Sequence, residues 1–144
     1  MNVEGILRAK GARVVTIKPD ASVADLVSGF SDERIGAMVV SVDGNHVDGI
    51  VSERDVVRGL ATVGPDVVRR RVADIMTITV TTCSPTDSVK SLMELMTRLR
   101  IRHVPVVVDG RLAGIVSIGD VVKTRIGELE FEREQLSSYI SSAG

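Results

Sequence analysis

The fold is decided by a stretch of sequence that occurs twice. It is Gly49-Ile-Val-Ser-Glu-Arg-Asp-Val-Val57 in the first copy and Gly114-Ile-Val-Ser-Ile-Gly-Asp-Val-Val122 in the second. Upstream, Val14-Val-Thr-Ile-Lys-Pro-Asp-Ala-Ser-Val23 returns in the same order as Val80-Thr-Thr-Cys-Ser-Pro-Thr-Asp-Ser-Val89. Repetition at a nearly constant period indicates one supersecondary unit used twice, each unit too small to bury its apolar faces alone. We therefore expect the two copies to pack together and to bind any ligand where they meet.

Each copy carries the same pattern of elements: strand, helix, strand, strand, helix. A β-branched run closed by a proline turn leads to a serine, Ser22 or Ser88, that can cap a helix. Apolar residues then recur at helical spacing in both copies, at Val23, Leu26, Val27 and Phe30 and at Val89, Leu92, Met93 and Met96. Two β-branched runs joined by a glycine-containing turn follow, which predicts a β-hairpin. The sequence thus predicts a mixed α/β (α+β) fold built from two β-α-β-β-α units.

Length, charge and cysteine content limit the function. The 144 residues, 44% of them hydrophobic, are enough for one shared core. A formal net charge of -1 gives no global field to attract nucleic acid or an anionic membrane. The linker arginines 69–71 are predicted to be a solvated face, with contact to phosphate or RNA as the alternative. The single cysteine, Cys83, excludes an internal disulfide, and no stretch has the length of a signal peptide or a membrane span. We expect a cytoplasmic protein that contacts neither membrane nor nucleic acid.

The last predicted helix continues well past the second copy. Its apolar residues follow the four-three spacing of a coiled-coil seam, at Val122, Ile126, Leu129, Leu136 and Ile140, with Arg133 as the polar exception. Such a seam needs a partner helix, and little repeat surface is left for it to cover. We expect a homodimer contact here; the alternative is that the helix folds back on its own domain.

The motifs together resemble a known family. The runs Val72-Ala-Asp-Ile-Met-Thr77 and Ile101-Arg-His-Val-Pro-Val-Val107, with the two Gly-hydrophobic-x-Ser-x-x-Asp motifs, are similar to those of a tandem pair of CBS domains, named for cystathionine β-synthase. The resemblance covers residues 3–124 and extends to short stand-alone bacterial proteins with a terminal helix. It implies two repeats packed about a pseudo-twofold axis. The expected units are 1–66 for the first repeat with its N-terminal segment and linker, 67–124 for the second repeat, and 125–144 for the C-terminal helix.

The repeated serine and aspartate are the candidate binding residues. A serine at a strand-to-helix junction, Ser52 or Ser117, places a hydroxyl beside unpaired N–H groups at the positive end of a helix. An aspartate one turn later, Asp55 or Asp120, can accept both hydrogens of a ribose diol. Ser-x-x-Asp is also a capping box, which needs no ligand. From the residues alone both interpretations stay open.

The family resemblance adds further candidates and a ligand class. It implies an adenosine-containing ligand with adenine among aliphatic residues, and phosphates facing Arg102 and His103, which align with Gly36 and Ala37 of the first copy. We therefore expect the cleft of the second copy to be the better phosphate site; the alternative is an exposed arginine beside a packed neutral histidine. The predicted nucleotide-binding residues are Ser52, Arg54, Asp55, Arg102, His103, Pro105, Ser117 and Asp120.

No reaction follows from this set of residues, because no nucleophile–base pair or metal-ligand spacing accompanies it. The sequence predicts a regulatory module that is not an enzyme and requires no metal or cofactor. It would bind AMP, ADP or ATP and pass the signal to an unidentified protein by a population shift. The alternatives are a ligand-free interaction protein acting through its terminal helix, and a binder of NAD(H) or S-adenosylmethionine.

Overall fold

The computed structural model describes residues 1–143 and confirms a mixed α and β fold with two small sheets and a long last helix. In chain order the elements are α1 (Val3–Lys10), β1 (Thr16–Ile17), α2 (Val23–Glu33), β2 (Ala37–Val40), β3 (Gly49–Ser52), α3 (Glu53–Val63), a 3-10 helix (Gly64–Arg69), α4 (Val72–Ile75), α5 (Val89–Leu99), β4 (His103–Val108), β5 (Arg111–Ser117) and α6 (Ile118–Ala143). Both repeats follow the predicted order of elements, with one exception at the first strand of the second repeat.

The two sheets differ at that strand. In the first repeat β1 pairs parallel to β2, with Thr16 opposite Val39, and β2 pairs antiparallel to β3. In the second repeat β4 and β5 form the sheet, and the expected first strand is reduced to a single parallel bridge between Cys83 and Val106. Pro105, which aligns with Val39, has no N–H to donate, so the ladder does not extend back from Cys83.

The helices α2 and α5 begin where the sequence predicts. Ser22 Oγ accepts the backbone N–H of Asp25 at 3.0 Å, and Ser88 Oγ accepts that of Ser91 at the same distance. These bonds satisfy donors that the first helical turn leaves free. Val23, Leu26 and Phe30 of α2 are buried as expected, but Val27 is 42% exposed, so the buried stripe is narrower than the sequence predicts.

The short helices α1 and α4 pack on the repeat that they do not precede. Val3 and Ile6 of α1 lie in the core of the second repeat, and Val72 of α4 lies in the core of the first. The backbone contacts are equivalent, because Val3 N–H donates to Asp87 C=O at 2.9 Å and Val72 N–H donates to Ala21 C=O at 2.8 Å. Each helix therefore ties the two repeats together, and neither repeat has a complete core without the other's segment.

The repeated glycines make room for these crossing helices. A Cβ placed on Gly49 would lie 2.9 Å from Met76 Sδ, and one on Gly114 would lie 2.7 Å from Leu7 Cδ2. Both distances are shorter than a van der Waals contact, so a side chain at either glycine would displace Met76 or Leu7. The glycine of each motif is thus explained by packing between the repeats.

Helix α6 confirms the long terminal helix and leaves its apolar stripe uncovered. It begins inside the second repeat at Ile118 and continues unbroken to Ala143; Gly144 lies outside the described residues. The side chains of the seam are about half exposed or more, with Ile126 at 51%, Leu129 at 49% and Ile140 at 63%. Across the described part of the chain, no helix combines the length and apolar character that crossing a bilayer requires.

Candidate functional site

A cavity of about 470 Å³ opens between the two repeats. Both repeats and the segment that follows α4 contribute to its wall. The lining residues are Gly36, Ala37, Ile50, Ser52, Glu53, Arg54, Asp55, Val57, Arg58, Thr77, Thr79, Val80, Thr81, Arg100, Ile101, Arg102 and His103. Five of the eight residues predicted to bind nucleotide lie here together. This volume is in the usual range for small-molecule sites.

The first repeat contributes the strand-to-helix junction of β3 and α3. Asp55 Oδ2 accepts the backbone N–H of Ser52 at 2.8 Å and the hydroxyl of Ser52 at 3.2 Å. Among residues 1–143 no hydrogen bond reaches the second oxygen of Asp55. The aspartate therefore stabilises the start of the helix and still presents a free carboxylate oxygen, on a half-buried side chain at the cavity wall. Capping and ligand binding are compatible at this residue.

The second repeat contributes the start of β4. Arg102 lies just before the strand, where its C=O accepts the N–H of Ile118 at 2.8 Å, and His103 pairs with Ser117 across the hairpin. The sequence predicted that Arg102 and His103 would lie in the cleft of the second repeat. This prediction was wrong, because the two residues line the same cavity as Ser52 and Asp55 of the first repeat. The repeats face each other, so each wall of a cleft comes from a different repeat.

The protonation of His103 follows from its surroundings. Burial lowers the pKa of its imidazole below the ordinary value, and the nearby charge of Lys10 lowers it further. The carboxylates of Glu53 and Asp120 act in the opposite direction but do not outweigh these effects. The neutral imidazole is thus favoured before any anion binds.

Arginine dominates the charge of the cavity. Four guanidinium groups line it against two carboxylates, those of Glu53 and Asp55; the arginines are Arg54, Arg58, Arg100 and Arg102. Sequence reasoning missed Arg58 and Arg100. Arg58 lies one helical turn after Arg54 and on the same face of α3, a spacing that could have revealed it. Arg100 ends α5 in the left-handed conformation, with φ of 55°, and no sequence signal marks it.

The remaining walls are aliphatic and threonine-rich. Ala37, Ile50, Val57, Val80 and Ile101 supply apolar surface, and a second set supplies hydroxyls, namely Thr77, Thr79 and Thr81. No phenylalanine, tyrosine or tryptophan is among the lining residues. A planar base would lie between aliphatic side chains, as predicted, with hydroxyl and backbone groups available for its polar edge.

The second copy of the motif also caps its helix, but its aspartate is already paired with a lysine of α1. Ser117 N–H donates to Asp120 Oδ2 at 2.9 Å, and Asp120 N–H donates to Ser117 Oγ at 3.2 Å, which completes a capping box. The ammonium of Lys10, at the end of α1, donates to the same Asp120 Oδ2 at 2.6 Å. Burial alone would raise the pKa of Asp120, but the hydrogen bonds from Lys10 and Ser117 outweigh it and hold that pKa below its ordinary value.

Pro105, a predicted binding residue, and the single cysteine, Cys83, are not among the residues that line the large cavity. Pro105 is buried in β4 opposite Ile115 and is not among the cavity-lining residues. Cys83 is buried in the core of the second repeat, where burial raises the pKa of its thiol to about 11 and makes it unreactive. Among residues 1–143 no group of three or more histidine, cysteine or carboxylate side chains is placed to hold a metal ion.

Comparison with known protein families identifies the family to which the two repeats belong. The family model of the CBS domain matches the chain twice, over residues 9–62 and 72–127. The chain belongs to the CBS domain family. Its tandem CBS repeats resemble a mitochondrial CBS-domain-containing protein of Arabidopsis thaliana, with 40% identity over 128 residues that cover 84% of this chain. The chain spans only 61% of that relative and 43% of an uncharacterised relative from Methanocaldococcus jannaschii.

Solved structures of CBS-domain proteins have the same fold. A CBS-domain-containing protein of Agrobacterium tumefaciens superposes with a TM-score of 0.84 at 44% identity, covering 87% of this chain and 99% of its own. A CBS domain protein of Pyrobaculum aerophilum, complexed with AMP, superposes with a TM-score of 0.74 at 28% identity. That match covers 83% of this chain and 89% of the other. The pairing of repeats described above is therefore that of known CBS-domain pairs.

Proposed function

We propose that this CBS pair is a ligand-sensing regulatory module, with no catalytic role, that binds an adenine nucleotide in the 470 Å³ cavity. The observation that carries the proposal is the convergence of Asp55 with Ser52, Arg54, Arg102 and His103 on one cavity. A carboxylate with a free oxygen suits a ribose diol, and guanidinium groups suit phosphate oxygens. The AMP complex of the Pyrobaculum aerophilum relative supports an adenosine-containing ligand for this chain.

The charge of the cavity favours nucleotides over other adenosine-containing ligands. Four arginines against two carboxylates attract a phosphorylated ligand. S-Adenosylmethionine carries a sulfonium cation, and the same arginines oppose it. The proposed order of affinity is therefore AMP, ADP or ATP before S-adenosylmethionine.

A thermal-unfolding series tests this proposal. The protein is heated with AMP, ADP, ATP, NADH and S-adenosylmethionine, each at millimolar concentration. A ligand present at 100 times its dissociation constant stabilises the folded state by about 2.7 kcal/mol, which is a shift of several degrees for a domain of this size. The expected result is stabilisation by at least one adenine nucleotide. No shift with any nucleotide would favour the ligand-free interaction protein.

We further propose that a second copy of the chain covers the apolar stripe of α6. The stripe keeps the four-three spacing of a coiled-coil seam, and its side chains are about half exposed or more at Ile126, Leu129, Leu136 and Ile140. The same spacing on an identical helix makes the surface self-complementary about a twofold axis. Nucleotide binding between the repeats would then reach a partner protein by shifting the arrangement of repeats or subunits. Native mass spectrometry reports the subunit count and any nucleotide retained through purification.

A further inference from the structure

The two nucleotide clefts expected of a duplicated chain are not equivalent, and the difference begins at the ends of α1 and α4. The two segments match up to Leu7 and Met76. Each of these side chains lies against the glycine of a repeated motif. Beyond that point they diverge. Helix α4 ends at Ile75, while α1 continues to Lys10 before Gly11 ends it with φ of 96°.

The divergence changes what contacts the strand beside each motif. After α4 the chain turns extended, and Thr77 exchanges two backbone hydrogen bonds with Ile50, at 2.8 and 2.9 Å. At the aligned position of the second repeat, the Ile115 C=O instead accepts a hydrogen bond from Lys10 Nζ at 3.0 Å. A side-chain cation has thus taken the place of a backbone amide.

The same cation reaches the aspartate of the motif. Lys10 Nζ lies 2.6 Å from Asp120 Oδ2, and the two side chains are only 32% and 22% exposed. Within residues 1–143, Asp55 forms no ion pair, and its carboxylate faces the large cavity. Among residues 1–143, both carboxylates accept hydrogen bonds on Oδ2 alone. The difference that matters for binding is therefore that Asp120 is paired with an ammonium and Asp55 is not.

We propose that Lys10 occupies the ribose subsite of the second cleft, so that each chain binds one nucleotide, at Asp55. The proposal rests on the function proposed above. A ribose diol arriving at Asp120 would have to displace an ammonium that is held by a carboxylate and a carbonyl together. The free energy needed to break this half-buried ion pair would oppose nucleotide binding. Occupancy of the second cleft is thus set by one residue of the N-terminal helix.

The test is the stoichiometry of nucleotide binding, measured by isothermal titration calorimetry. The probe is whichever of AMP, ADP and ATP stabilises the wild-type protein most. The expected result is one nucleotide per chain for the wild type and two for Lys10→Ala, with Lys10→Met as a second variant that keeps the aliphatic stem. The matched control is Arg8→Ala, which changes another exposed cation of α1, paired with Glu4 at 2.9 Å, and should leave one site.

Two results would overturn the proposal: two nucleotides on the wild-type chain, or one on a folded Lys10 variant. If the wild type bound none, the proposed function would fail, and a second measurement would still decide the role of Lys10. This is an NMR titration of the Asp120 carboxyl, whose pKa is expected to rise in Lys10→Met and to stay low in Arg8→Ala. An unchanged Asp120 pKa in Lys10→Met would show that the ammonium does not hold this carboxylate in solution.

Discussion

Asp55 and Ser52 are joined by two hydrogen bonds to one carboxylate oxygen, from the Ser52 N–H at 2.8 Å and the Ser52 hydroxyl at 3.2 Å. The arrangement leaves the other oxygen facing the cavity between the repeats. It also shows how the two interpretations of Ser-x-x-Asp are reconciled, because one oxygen caps the helix while the other remains available.

Asp55→Asn should abolish tight nucleotide binding without unfolding the protein. An asparagine oxygen can still accept from Ser52, so the cap is kept, but the charged acceptor for a ribose diol is lost. Hydrogen bonds to charged groups contribute about 1.5–3 kcal/mol, so affinity should fall by about 10- to 100-fold in calorimetric titration.

The control for this change is Asp74→Asn. Asp74 plays the same N-terminal role in α4, accepting the Arg71 N–H at 3.0 Å, but it does not line the cavity. It should lower stability slightly and leave affinity unchanged. Equal affinity of Asp55→Asn and wild type would reduce Asp55 to a helix cap.

Arg102→Ala should weaken phosphorylated ligands and spare adenosine. The guanidinium is expected to contact phosphate, a charge-assisted interaction that adenosine cannot make. We expect a loss of about 10-fold or more for ATP, with a shallower dependence of affinity on salt. Arg111→Ala, an exposed arginine of β5 outside the cavity, is the matched control. An equal loss for adenosine and ATP would contradict the assignment.

Nucleotide affinity should rise as the pH falls. Burial and Lys10 lower the pKa of His103, against the opposite effects of Glu53 and Asp120, so the neutral imidazole is favoured in the free protein. A phosphate beside it favours the imidazolium, and binding therefore takes up a proton. By linkage, affinity rises as the pH falls through the imidazole pKa of the complex and levels off below the lowered pKa of the free protein.

Calorimetry in two buffers of different ionisation enthalpy measures that proton uptake directly. His103→Gln should remove the proton uptake of the imidazole and leave only the proton exchange of the phosphate itself. Identical uptake in the two proteins would place His103 away from the phosphate, as the packed neutral histidine of the alternative interpretation.

Leu129→Glu should convert the proposed dimer to a monomer. Leu129 lies at the centre of the exposed stripe of α6, and a buried carboxylate in a coiled-coil seam is strongly unfavourable. Light scattering after size-exclusion chromatography reports the mass. Val42→Asp, at an exposed apolar residue of the first hairpin, should not change it. A wild-type monomer at micromolar concentration would rule out the proposed dimer.

Ile6→Ala should destabilise the second repeat although it lies at the start of the chain. Ile6 is 3% exposed and lies in the core formed by Val89, Leu92 and Val116. Truncating such a residue costs about 2–5 kcal/mol. Hydrogen exchange should show the greatest loss of protection in β4 and β5. A loss confined to the first repeat would contradict the exchanged packing of α1.

The features that the sequence predicted are those set by local chemistry. Ser22 and Ser88 cap their helices because the cap and its helix are neighbours in the chain. The two-residue turn of the second hairpin follows from Asp109 and Gly110, both with positive φ, as an Asp-Gly turn requires. Elements of this kind can be predicted from residue type and spacing alone.

The features that the sequence missed depend on contacts between distant segments. Nothing in Val3 or Ile6 indicates which repeat they will pack against, so the exchange of α1 and α4 was not foreseen. The same holds for Lys10, which meets Asp120 only after that exchange. It also holds for Arg102 and His103, which share a cavity with Ser52 and Asp55 because the repeats face each other.

A crystal structure of the protein grown with AMP would show directly where the nucleotide binds. We expect electron density for one adenosine per chain in the cavity between the repeats. The ribose hydroxyls should lie within hydrogen-bonding distance of Asp55 and the phosphate against Arg102. An empty cavity at saturating AMP, or density bound elsewhere on the chain, would contradict it.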